Sequence, residues 1–346
     1  MVTLYPFICG HSHSQCGIIL SVKTIRKFTA LAGKFCSKNI LTRPNFLSGF
    51  ALPGVISVFI LLSACQQPSR QFGNENQQPE IKLKILTTIA PLYCFAKNIA
   101  GDLADVENLL PAGAGPHEYS FSPADIKKIK NAHVLIKNGA NLEPRLDKVI
   151  ASSMEIPAMN RKGKLAVVDT SSGIQLMNND PHIWLSPKNA IIQVRNIRDA
   201  LAKADPDRSE RYRENAGEYI KRLEKLDIYI TEEVKTWRTK EFVAFHSAFM
   251  YFARDYGLKQ VAVIQEFPDT QPSPKHIAEV IKTIKKTGVK AIFSEPLTTH
   301  KIVESIAEDL NLQVYSFDTL ETGEPYPEWY EDKMKANLAV LKKALN

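Results

Sequence analysis

Three histidines and an aspartate, His117, His182, His246 and Asp318, each fall at the end of an apolar run or in the loop after one, 65, 64 and 72 residues apart. Three imidazoles and a carboxylate make a complete shell for a borderline divalent cation such as zinc. His117 lies in the Gly/Pro-rich stretch from Leu109 to Tyr119, where sharp turns can present a side chain to a cleft. His182 sits in Asn179-Asp180-Pro181-His182-Ile183-Trp184, between a strand and a helix. His246 follows Phe242–Phe245, and Asp318 follows Val314–Phe317. Each has an ordinary alternative: an exposed loop histidine, a turn marker, a helix-start hydrogen bonder and, for Asp318, a turn former or cap. Together they point to a metal, because two come from each half of the chain and all lie on the loop side where open α/β sheets bind ligands. His133, His276 and His300 open a strand or a helix and read as structural or exposed.

The elements that must position these residues alternate. Strands are expected at Lys82–Thr88, Val106–Leu110, Val134–Lys137 and Leu165–Asp169, with helices near Tyr93–Gly101, Pro123–Asn131, Leu146–Met154 and Pro187–Lys203. The pattern resumes with strands at Glu241–Phe245, Gln260–Ile264, Ala291–Ser294 and Gln313–Phe317. Helices there are expected near Ala248–Tyr256, Pro274–Thr287, Lys301–Leu310 and Pro327–Leu345. Such alternation builds parallel sheets from crossover units. Between the blocks, Asp205-Pro206 opens a helix whose apolar stripe runs Tyr212, Ala216, Tyr219, Leu223, Leu226, Ile230, Val234, Trp237. At 1.5 Å per residue it spans on the order of 45 Å, a spine between two blocks. The expected fold is α/β: two similar Rossmann-like lobes with parallel sheets, residues 81–204 and 239–346, joined by one long rigid helix at 205–238.

At 346 residues the chain suits two domains, and its net charge of +7 would suggest a nucleic-acid or membrane partner. The distribution argues otherwise. Residues 1–64 hold six basic side chains and no acidic one, leaving 38 basic against 37 acidic residues beyond them. A chain so balanced has no long-range field for nucleic acid. Lys38 and Arg43 precede the apolar run Phe50–Leu62, which Pro53-Gly54 interrupts and which ends at Ser63-Ala64-Cys65. Residues 1–64 therefore read as an export signal and Cys65 as a lipidation site, a plain signal-anchor being the alternative. His11, His13, Cys9, Cys16 and Cys36 lie in this leader and carry no functional reading. The polar, Gln- and Asn-rich residues 65–80 read as a flexible tether. Cys94 is expected in a helix, and no internal disulfide is expected.

Residues 82–345 resemble the solute-binding proteins of zinc- and manganese-type ATP-binding-cassette importers, the cluster A-I family. The blocks that carry the resemblance are Pro116-His117-Glu118-Tyr119 with Ser122–Ile126, Asp180–Leu185, His246–Ala253 with Asp255–Leu258, Phe293–Pro296 and Phe317-Asp318. It implies a metal held between two lobes by His117, His182, His246 and Asp318, and a lipid anchor at Cys65. It also implies delivery to the membrane subunits of an ABC permease, by a monomer at the outer face of the cytoplasmic membrane or in the periplasm. Histidine at the third position favours zinc over manganese as the transported ion, since imidazole suits zinc; the same role for manganese is the second reading. Ser120-Phe121 and Ser186 depart from the family pattern, and no His- and acid-rich loop lies between His133 and His182. The departures are expected to act around the ligands, without loss of a ligand.

Two other classes remain. A zinc hydrolase would keep an open metal position and a base such as Glu118, Glu266 or Glu295. The chain carries no His-Glu-x-x-His pair and four ligands fill the shell, so the expectation is a protein that is not an enzyme. An adhesion module with a purely structural zinc would unfold when chelated, whereas a transport receptor survives metal-free.

Overall fold

The computed structural model describes residues 82–153, 164–265, 271–296 and 301–346. The leader, the 65–80 tether with Cys65, and Glu266 and His300 lie outside the described residues.

The first block runs β1 (Leu83–Thr87), α1 (Ala90–Ala100), β2 (Ala104–Asn108), α2 (Pro123–Asn131), β3 (Val134–Lys137), α3 (Pro144–Ser153), β4 (Ala166–Asp169) and α4 (Pro187–Ala204). Then comes α5 (Ser209–Lys235). The second block runs β5 (Glu241–His246), α6 (Met250–Tyr256), β6 (Lys259–Gln265), α7 (Pro274–Thr287), β7 (Ala291–Ser294), α8 (Lys301–Leu310), β8 (Gln313–Ser316) and α9 (Trp329–Leu345). Each block makes one four-stranded, wholly parallel sheet, in the orders β2-β1-β3-β4 and β6-β5-β7-β8. The second order repeats the first, so the two lobes share one topology, with the chain reversing direction across the sheet at β1/β3 and at β5/β7. Loops beyond the strand carboxyl ends at such reversals are where open α/β sheets hold ligands.

Local chemistry sets the ends of the elements that flank the site. Ser122 and Asp125 cap α2 reciprocally: the Asp125 N–H donates to Ser122 Oγ at 3.2 Å, and the Ser122 N–H donates to Asp125 Oδ2 at 2.9 Å. Ser186 caps α4 by accepting from the Asn189 N–H, and Pro187 fills the first helical position. Gly257 and Gly288 end α6 and α7 in the left-handed conformation, which costs glycine no Cβ clash.

The 27-residue α5 is about 40 Å long and buries the anticipated stripe from Tyr212 to Val234. It packs on α1 and α4 of the first block and on α6 and α9 of the second. One contiguous apolar cluster consequently contains strand residues of both sheets, Ile85, Val134, Ile136 and Val168 with Phe242, Ala244, Ala291 and Phe293. Among the described residues, no helix is long and apolar enough to cross a membrane.

Several boundaries differ from the sequence reading, α1 among them, which begins at Ala90 instead of Tyr93, and two of the differences have a local cause. The β2 strand lies two residues earlier than expected, because Leu109 and Leu110 stay buried after the strand has ended and extend its apolar signature. Residues Pro206–Arg208 form a 3-10 turn before α5, held by Asp205, whose Oδ2 accepts from Arg208 at 2.8 Å and from the Tyr212 hydroxyl at 2.9 Å.

Because Leu223 is fully buried in the middle of the α5 seam, Leu223→Ala should destabilise the protein by about 2–5 kcal/mol. Glu224→Ala, one position on and exposed, should stay within about 0.5 kcal/mol. Urea titrations of the two variants test whether the seam holds the lobes as one cooperative unit.

Candidate metal centre

The site grows from the ends of four segments. His246 is the last residue of β5, in a strand buried from Phe242 onward. His182 leads into a buried single turn, Ile183–Leu185, that joins the loop after β4 to α4. His117 lies in the loop between β2 and α2, and this loop is tied down on both sides of Tyr119. Arg145 donates to the Glu118 carbonyl and to Ser120 Oγ, each at 2.8 Å, and pairs with the Glu118 carboxylate. The Tyr119 hydroxyl donates to Asp125 Oδ2 at 3.0 Å. The fourth segment follows β8.

His117, His182, His246 and Glu321 converge there, and one ligand atom from each lies within 4.8 Å of all the others. His117 Nε2 is 3.3 Å from His182 Nε2 and 3.4 Å from Glu321 Oε1. A regular tetrahedron with metal bonds of about 2.0–2.1 Å has edges of about 3.3–3.4 Å. The pair His182 Nε2 and Glu321 Oε1 sits closer, at 2.9 Å, a hydrogen-bond distance. His182, His246 and Glu321 are buried, and His117 is the most accessible of the four.

Asp318, the carboxylate expected from the sequence, lies outside this group. Its Oδ1 accepts from the Leu320 N–H at 2.8 Å, and its Oδ2 accepts from Lys333 Nζ at 3.2 Å. Asn337 pins its backbone from both sides, accepting from the Asp318 N–H and donating to its carbonyl. The aspartate thus builds the turn after β8, as such residues commonly do. With Leu320 at φ 60°, this turn carries the chain on to Glu321, which faces the histidines.

Outer carboxylates orient two of the rings. Asp180 Oδ1 accepts from His182 Nδ1 at 2.6 Å, and Glu295 Oε1 accepts from His246 Nδ1 at 3.0 Å. Each ring therefore turns Nε2 towards the centre, the arrangement that fixes tautomer and basicity in metal-binding histidines. Burial disfavours a proton on His182, but hydrogen bonds to Asp180 and Glu321 outweigh it and raise the pKa to about 9. Burial likewise works against the Glu321 carboxylate, yet its hydrogen bonds to His117 and His182 hold its carboxyl well below the usual range. Hydrogen bonding to both carboxylates thus favours the protonated form of His182 when no cation is bound.

The remaining residues singled out in the sequence support the site or stand apart from it. Ser186 is buried, caps α4 and donates to the Asp255 carboxylate. Phe121 packs edge-on against Tyr119, with ring centroids 5.1 Å apart. His133 Nδ1 accepts from the Lys84 N–H at 2.8 Å, and His276 bonds the Val263 carbonyl at 2.9 Å, both structural roles. Of the carboxylates considered as a hydrolytic base, Glu118 is paired with Arg145 and Glu295 with His246. Cys94 is buried in α1 as a free thiol.

The family model for the periplasmic zinc-uptake complex component A, ZnuA, matches residues 85–344. The high-affinity zinc uptake system protein ZnuA of Bacillus subtilis is 32% identical over 317 residues, covering 84% of this chain and 96% of its own. The Zn(II)-bound ZnuA-like domain of Streptococcus pneumoniae AdcA superposes with a TM-score of 0.65 at 33% identity, covering 77% of this chain and 99% of that one. The solute-binding protein FpvC of Pseudomonas aeruginosa, solved with Mn2+, gives 0.69 at 31% identity, covering 77% and 98%. The chain spans only 51% to 56% of the streptococcal AdcA proteins that it also matches.

The raised His182 pKa carries a stability consequence. The folded site holds the His182 proton more tightly than the unfolded chain does, so its stabilising effect is complete below about pH 6.5 and is lost as pH rises through about 9. Thermal melts of the chelator-stripped protein should therefore show Tm falling between pH 6.5 and 9, and His182→Gln should flatten that slope. A wild-type Tm that rises across this window would contradict the assignment.

Proposed function

The chain belongs to the ZnuA family, and on that premise we propose that it is the extracytoplasmic receptor of an ABC importer, capturing Zn2+ between its lobes and handing it to a membrane permease. The observation that carries this reading is the convergence of His117, His182, His246 and Glu321 from four segments and both sheets. We assign the ion to these four side chains. Imidazole nitrogens suit zinc better than the harder manganese ion, and one carboxylate leaves a single formal negative charge against the cation. The manganese bound by FpvC, a structural neighbour, keeps Mn2+ as the second candidate cargo.

Four protein ligands, in a largely buried setting, would close the shell to water. Closure suits storage and transfer, whereas a hydrolytic zinc keeps a position for its attacking water. The protein is accordingly a binding receptor and carries out no chemistry on its cargo. Capture replaces the His182 proton with the cation, so affinity falls as pH falls. The core shared by the two sheets supports survival of the metal-free fold. Export, lipidation at Cys65 and attachment to the outer face of the membrane complete the reading, with the protein acting as a monomer.

Competition titration of the metal-stripped protein with zinc against manganese tests the cargo, and two isosteric variants test the ligand set. Glu321→Gln should weaken zinc binding by roughly 100-fold or more, beyond what loss of a merely supporting residue brings. Asp318→Asn keeps an oxygen for the Leu320 N–H and should stay within about threefold of wild type. The opposite ranking would restore Asp318 as the ligand, and tight binding of manganese in preference to zinc would reassign the cargo.

A further inference from the structure

The loop that delivers His182 contains two consecutive non-glycine residues in the left-handed region, Asn178 at φ 49° and Asn179 at φ 58°. Asparagine tolerates this conformation better than most residues, but a pair in succession persists only where the surroundings enforce it. The turn closes on itself through the Asp180 N–H, which donates to the Met177 carbonyl at 2.8 Å. Asp180 then accepts from both the backbone N–H and Nδ1 of His182, at 2.9 and 2.6 Å. Displacement of Asp180 would thus displace the imidazole with it.

One hydroxyl grips both ends of this turn. Tyr251 Oη accepts from the Met177 N–H at 3.1 Å and donates to the Asp180 carbonyl at 2.8 Å. Tyr251 is fully buried in the first turn of α6, and burial raises its pKa, so the phenol stays a donor. It stands five residues after His246, on the unit that begins with β5. The hydroxyl therefore joins the His182 turn of the first block to the segment that carries His246 in the second. Those two rings lie edge to face with centroids 4.8 Å apart. Neighbouring contacts from α6 reinforce the junction: Arg254 reaches Met177 Sδ at 3.4 Å, and the Asn178 amide lies 3.7 Å from Met250 Sδ. From the other side, Asn138 Nδ2 donates to the Pro181 carbonyl at 2.9 Å.

We infer that Tyr251 is a positioning residue for the metal centre: its hydroxyl holds the strained 177–180 turn and thereby sets His182 against His246 before the cation arrives. This inference rests on the metal reading above and adds to it the device that pre-organises two of the ligands across the lobes. Pre-organisation of this kind slows release, since the site need not reform after each fluctuation.

Tyr251→Phe removes only the hydroxyl. Tyr256→Phe, on the same helix, removes one partly buried hydroxyl bond, from Tyr256 Oη to Asp227 Oδ1 at 2.9 Å, without touching the turn. Zinc release into excess chelator, followed by stopped flow, should be about tenfold faster in Tyr251→Phe than in wild type, within the range typical of outer partners of metal ligands. Tyr256→Phe should release zinc at the wild-type rate even where its Tm falls as far. The visible spectrum of the Co2+-loaded protein should change in Tyr251→Phe alone, since it reports ligand geometry and not fold stability. Equal release rates in all three proteins, or equal acceleration in both variants, would overturn the positioning role while leaving the metal reading intact. A wild-type protein that binds no zinc would overturn the metal reading and this inference with it.

Discussion

The four converging side chains depend on a constraint that lies some distance from them, the burial of the α5 seam against helices of both blocks. Two parallel sheets built by different halves of the chain have no reason to face one another unless something fixes their relation. Here the apolar stripe from Tyr212 to Val234 packs on α1 and α4 and on α6 and α9, so strand residues of both sheets join one core. Close-packed apolar interiors deform little, which is why a site built across them can hold ångström-scale distances.

On that frame the site is assembled by short polar devices at strand ends. The Ser122–Asp125 box and Arg145 fix the loop bearing His117. Asp180 fixes the ring of His182, and Glu295 that of His246. The Asp318 turn, pinned by Asn337 and Lys333, brings Glu321 round. Charge balance follows the same economy. His182 lies between Asp180 and Glu321, and hydrogen bonds to these two carboxylates favour its protonated form in the absence of a cation.

Much of this was legible in the residues. Strand–helix alternation placed most of the elements, and the ends of α2, α7, β7 and α8 coincide with their sequence signals, among them Ser122-Pro123 and Ser273-Pro274. The three histidines could be singled out because strand ends in α/β sheets are where ligands gather. Glu321 could not be found in that way. A strand-end aspartate satisfies the same pattern, and only the fold reveals that Asp318 spends its oxygens on Leu320 and Lys333. The positive φ of Leu320, which turns the chain towards the histidines, is a backbone state that a leucine does not advertise. The Tyr251 staple was hidden for a related reason, because its partners are backbone groups 71 and 74 residues away, with no side-chain signature.

The central claim is that three imidazoles and the Glu321 carboxylate hold the cargo. X-ray absorption at the zinc edge of the loaded wild-type protein tests it most directly. The account predicts a four-coordinate ion with three imidazole nitrogens and one oxygen shell at about 2.0–2.2 Å. Glu321→Gln should alter the oxygen shell, and Asp318→Asn should leave the spectrum unchanged. A six-coordinate, water-rich shell, or fewer than three imidazoles, would contradict it.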